Sequence, residues 1–200
     1  MLNMQNSKYK IPLAIAALIL LGIGCIAFSR MPAKVEDISA VGMKDYKNIE
    51  YVIDGQSVML RDGMAETEAA PGSASKISTR YFGNDLVTDL DGDGRQDVVF
   101  ILTQQTGGSG TFYYVVAARA TENGYEGSDG YLLGDRIAPQ AIEPSKNPRH
   151  VNVIVANYAE RGPDESMTSE PSVGKSAYLK LDPAEMQWGI VASDFEGESR

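Results

Sequence analysis

Asp89-Leu90-Asp91-Gly92-Asp93-Gly94-Arg95-Gln96-Asp97 runs directly into the apolar segment Val98-Val99-Phe100-Ile101-Leu102. Asp89, Asp91, Asp93 and Asp97 crowd one short loop with carboxylates, a repulsive arrangement that a hard cation relieves. The segment that follows is made of strand formers and shows no helical period, so it reads as a β-strand. A charged turn feeding a continuous apolar strand points to a β domain with a cation site at its edge.

The spacing has a mechanical logic. In calcium loops built on DxDxDG the odd positions turn side-chain oxygens inward, glycine makes the sharp bend, and the next residue offers its carbonyl. On this pattern Asp89, Asp91 and Asp93 are monodentate ligands, Gly94 is the bend, Arg95 is a backbone carbonyl donor, and Asp97 is a ligand directly or through water. The twelfth loop position, where an EF-hand places a bidentate Glu, holds Phe100, which excludes that motif. The competing reading is a solvated acidic turn, because Asp and Gly favour turns in any case. Acids at positions one, three, five and nine with glycine at six favour calcium, in a structural rather than catalytic role.

The loop and strand together resemble the calcium loops of FG-GAP and VCBS repeats, the integrin-like propeller blades, where DxDGDGxxD precedes a buried strand. The likeness covers Asp89 to Phe100, with Phe82-Gly83 just upstream. It implies a cation loop and not a whole propeller, which needs about 4–8 blades, whereas this chain carries one such loop and no internal repeat. A wider stretch, from Tyr46 to Leu181, resembles small exported bacterial proteins, some found beside lysozyme-inhibitor-like domains. That resemblance implies a shared module and no activity.

Charge and the N-terminus set the compartment. Residues 1–30 contain Lys8, Lys10 and Arg30 and no acid, which leaves 15 basic and 27 acidic side chains in the remainder. Such a balance argues against nucleic acid, whose phosphates demand basic patches. Residues 11–28, IPLAIAALILLGIGCIAF, carry no charge and, at about 1.5 Å per residue, come close to crossing a ~30 Å hydrocarbon core. Three readings stand: a single-pass membrane anchor, a cleaved signal peptide, and a lipoprotein signal acylated at Cys25. All three place the C-terminal domain outside the cytoplasm, and the anchor makes the membrane a partner. Cys25 is the sole cysteine, so the exported part holds no disulfide and leans on its core and a metal.

Along the chain, residues 1–30 form the signal or transmembrane helix and 31–45 a linker or a short helix around Val35 to Ala40. Residues 46–192 form the β-rich domain with the calcium loop at 89–97, and 193–200 form a tail. IEYVI and VMLR flank Asp54-Gly55, a hairpin signal in which Gln56 and Ser57 extend the turn. Ala65 to Lys76 is broken by Pro71-Gly72 and reads as a surface loop. Further strands are expected at 77–81, 97–103, 111–118, 131–133, 151–158, 177–181 and 187–191, between clusters of Gly, Pro, Asn and Asp. The fold class is therefore mainly β, a single antiparallel sandwich or open barrel-like domain, with α+β as the alternative.

No catalytic constellation stands out. Ser109 lies in a glycine-rich loop, but Thr111 occupies the place of the second glycine in GxSxG. His150 is the only histidine and has no evident partner, so a structural role is expected of it. The acid pairs Glu122/Glu126 and Asp164/Glu165 have the composition of hydrolytic dyads, though acids in an acidic chain usually face water. Tyr113, Tyr114, Tyr125, Tyr131, Tyr158 and Tyr178 are candidates for an aromatic face that binds glycan or protein, or else half-buried sheet residues. Tyr113 and Tyr114, being consecutive, must point to opposite faces. Two classes of function follow: a membrane-tethered extracytoplasmic calcium-binding β module with a binding or structural role toward an exterior protein or glycan, or a cell-envelope hydrolase or an inhibitor of one. The first needs no catalytic set.

Overall fold

The computed structural model describes residues 45–193. The expected N-terminal helix, all but the last residue of the linker, and the tail from 194 lie outside the described residues. Among the described residues no helix is long and apolar enough to cross a membrane.

The domain is mainly β, its sheets are antiparallel, and it has no α-helix among the described residues. Its strands are β1 (Glu50–Ile53), β2 (Gln56–Met59), β3 (Met64–Glu68), β4 (Lys76–Thr88), β5 (Asp97–Gln105), β6 (Phe112–Thr121), β7 (Gly124–Gly127), β8 (Tyr131–Asp135), β9 (Ala138–Pro144), β10 (Val153–Glu160), β11 (Val173–Asp182) and β12 (Gln187–Ile190). A 3-10 turn, Tyr46–Asn48, precedes β1. One sheet runs β3-β4-β5-β6-β7, with β8 paired to the other end of β6; a second runs β12-β11-β10-β9; β1 and β2 form a separate hairpin.

Strand β5 is buried on both faces, and that organises the layers. Val99 and Ile101 join Val115, Ala117, Ile154, Ala156, Leu179 and Leu181 in a core shared with the four-stranded sheet. Val98, Phe100 and Leu102 join Ile49, Tyr51, Ile53, Leu60 and Val116 in a second core under the β1-β2 hairpin. Side chains alternate along a strand, so an unbroken apolar run supplies both cores at once. Tyr113 packs on the first core and Tyr114 within the second, as their adjacency requires.

Several local expectations need correction. Gln56 pairs with Ile53, so the first turn is only Asp54-Gly55, both left-handed at φ 50 and 73. That is the twist a two-residue hairpin demands, and Gln56 and Ser57 belong to β2. The segment read as a loop from Ala65 contributes β3, whose Ala65, Glu66 and Thr67 pair with Thr79, Ser78 and Ile77. β3 is largely exposed, so it lacks the apolar alternation that marks a strand. β9 carries Pro139 and Pro144 and lies at a sheet edge, where missing N–H groups are tolerated.

A candidate cation site on the β4–β5 loop

Thr88 pairs with Asp97, so residues 89–96 close the β4–β5 hairpin. Within the loop each acid first serves the backbone. Asp89 accepts from the Gly92 amide at 2.7 Å and the Gly94 amide at 2.9 Å. Asp91 accepts from the Asp93 amide at 3.1 Å and Asp93 from the Arg95 amide at 2.7 Å. Gly92 and Gly94 are left-handed, φ 85 and 86, conformations that glycine adopts without a steric cost. The expected bend at Gly94 is present, with a second at Gly92.

Asp89, Asp91 and Asp97 each bring a carboxylate oxygen to within 4.8 Å of the others. Two ligands about 2.4 Å from one calcium ion stand at most about 4.8 Å apart, so this cluster has the dimensions to hold a metal ion. Asp93 is turned away: its carboxylate is ion-paired with the Arg95 guanidinium, which also faces Glu122 at 3.9 Å. In this arrangement Arg95 meets the cluster through Asp93.

Asp97 differs from its neighbours in being fully buried. Its Oδ2 accepts from the Leu90 amide at 2.8 Å and its Oδ1 from the Ala120 amide at 2.7 Å. Burial raises its pKa above the ordinary carboxylate value, and the two amides only partly oppose that. Asp89 shifts down, because the Gly92 and Gly94 amides stabilise its charge. The acids therefore divide into an amide-stabilised anion at the loop mouth and a buried carboxylate at its root.

Two residues close to the loop carry no local sequence signal. Arg119, on β6, holds its guanidinium 3.9 Å from Asp91 while donating to the Pro183 carbonyl at 2.9 Å and pairing with Glu126. Asn152, between β9 and β10, places its Nδ2 3.6 Å from where a Cβ on Gly92 would stand. Neither lies within 20 positions of the loop in sequence; they arrive through strand order.

The other candidates are accounted for by structure. Glu122 and Glu126 face Arg95 and Arg119, and Glu165 accepts from Ser172 and the Gly162 amide, so three of these four acids are engaged by other groups. His150 does have partners, contrary to expectation: Nδ1 lies 2.8 Å from Ser145 Oγ and Nε2 3.4 Å from Asn147 Nδ2. Ser145 Oγ also accepts from the Asn147 amide, so the contact closes the β9–β10 loop on itself. Of the tyrosines, Tyr114 is buried, Tyr113, Tyr131 and Tyr158 pack on the first core, and Tyr125 packs on the second. Tyr178 belongs to neither core. Comparison of the chain with protein-family models, with curated proteins and with solved structures finds no match.

Proposed function

We propose that the chain is a membrane-tethered, extracytoplasmic calcium-binding β module with a binding or structural role, its loop akin to those of FG-GAP repeats. The observation that carries the reading is the convergence of Asp89, Asp91 and Asp97 oxygens within 4.8 Å. Calcium suits it because every donor is a hard carboxylate oxygen, two from the loop and one from the start of β5, and calcium takes six to eight oxygen ligands of which water supplies a share. An ion there ties the β4–β5 hairpin to the end of β6 through Asp97, which is a structural role. The uncharged span 11–28 and the acidic remainder of the chain support export and tethering, and weak calcium sites fill outside the cell.

The test is calcium titration of the full 200-residue chain in detergent by calorimetry and thermal melting, beside Asp91→Asn and Asp89→Asn. One saturable site that raises the melting temperature and is lost in both variants is expected. Absence of heat and of any thermal shift returns the loop to an acidic turn. Protease accessibility of the β domain in intact cells checks the tethering.

A further inference from the structure

The outer face of the four-stranded sheet carries a groove of about 350 Å³ lined by Glu143, Pro144, Lys146, Val155, Asn157 and Tyr178. Ile154, Ala156 and Leu179 face the core, so alternation turns Val155, Asn157 and Tyr178 outward. Register aligns the walls: Val155 stands opposite Glu143 on β9 and Tyr178 on β11, and Asn157 opposite Ser176. Ser176 Oγ donates to Asn157 Oδ1 at 2.6 Å, and Asn157 Nδ2 donates to Glu143 Oε1 at 3.2 Å. Lys146 Nζ lies 3.7 Å from the same carboxylate. The His150 ring meets the Tyr178 ring edge-on, centroids 5.7 Å apart.

We propose that this groove binds a neutral sugar ring of a saccharide. A pyranose offers an apolar C–H face and a rim of hydroxyls, and it needs an aromatic face beside a fixed donor and acceptor. Tyr178 supplies the ring, held in place by His150. The relay from Ser176 fixes the Asn157 amide, leaving its second N–H for a hydroxyl oxygen, while Glu143 retains lone pairs for hydroxyl protons and Lys146 adds a donor. One carboxylate and one ammonium balance, so the groove selects neither an acidic nor a basic ligand. Its volume sits at the small end of the roughly 300–1,000 Å³ of ligand pockets, which suits a sugar ring better than a folded partner, and the net charge of −9 disfavours anionic polymers. The site shares no residue with the acidic loop and stands whether or not a cation binds there.

Calorimetry and saturation-transfer NMR on the full chain test it, with methyl β-glucoside, methyl α-mannoside, N-acetylglucosamine, cellobiose and chitobiose as probes and glucuronate and a neutral tetrapeptide as controls. At least one neutral sugar is expected to saturate a single site, with Tyr178→Ala and Glu143→Gln each weakening it tenfold or more and Asp91→Asn leaving it unchanged. Should Tyr178→Ala fail to fold, the isosteric Glu143→Gln decides alone. The proposal is overturned if no neutral sugar saturates, if binding survives Glu143→Gln, or if only glucuronate or the peptide binds.

Discussion

Asp97 and Ala120 meet at 2.7 Å, the Ala120 amide donating to the Asp97 carboxylate at the point where the β5–β6 ladder ends with Val98 opposite Ala118. The side chain continues the ladder that the backbone has left, while its other oxygen holds the Leu90 amide at the far end of the acidic loop. One buried carboxylate thereby joins loop, β5 and β6.

Asp97→Asn should therefore be costly. An amide presents only one acceptor oxygen and turns its NH2 toward the other N–H, stranding a buried donor at a cost of about 2–3 kcal/mol. Asp93→Ala, which removes an exposed pair with Arg95, should cost less than about 1 kcal/mol. Urea denaturation of both variants without calcium separates the clamp from the loop.

Arg119 would oppose a cation bound at Asp91. Replacing it with Gln removes a positive charge 3.9 Å from that carboxylate and should tighten calcium binding about three- to tenfold, since partly exposed charges a few ångströms apart interact by about 1 kcal/mol. Calorimetric titration of Arg119→Gln against the parent checks the direction.

Gly127 and Gly55 offer a matched contrast. A Cβ on Gly127 would stand 2.0 Å from the Glu50 carbonyl oxygen, whereas one on Gly55 meets nothing within 4 Å. Gly127→Ala should prevent the β1-β2 hairpin from docking, with a large loss of melting temperature. Gly55→Ala, strained only by its left-handed backbone, should cost about 1 kcal/mol.

Phe100 is fully buried and in ring contact with Tyr46, Tyr51 and Tyr81. Phe100→Ala should cost about 3–5 kcal/mol, while Val87→Ala, more than half exposed, should stay within about 0.5 kcal/mol. Chemical denaturation of the two measures how much of the stability resides in the second core.

Asp135 provides a pH test. Its carboxylate bonds the Arg136 guanidinium and the Thr111 amide, and the Arg136 bond leads in lowering its pKa below 3.8. A lowered folded-state pKa gives stability that is present above the unfolded value and lost as pH falls through the folded one. The melting-temperature gap between the parent and Asp135→Asn should thus be constant from neutrality to about pH 4 and close below it.

The sequence by itself determined what short-range chemistry controls. Asp54-Gly55 specified a hairpin turn because left-handed backbone favours those residues. The acids of 89–95 specified tight turns because each carboxylate reaches an amide two to five positions on. The unbroken run after Asp97 specified a strand, and the recurrence of such runs between Gly and Pro clusters specified a mainly β domain. Tertiary structure decided everything that depends on strand order. The exposed β3 and the proline-bearing β9 become strands only because neighbours supply their hydrogen bonds, so no pattern of their own marks them. Arg119 and Asn152 reach the acidic loop, and Glu143, Asn157 and Tyr178 meet in one groove, because antiparallel register sets residues side by side without regard to their separation along the chain. Alternation within a strand is a property of one segment's backbone. Which faces oppose each other is a property of the assembled sheets, and it made Asp97 a buried clamp instead of one more acid in a loop.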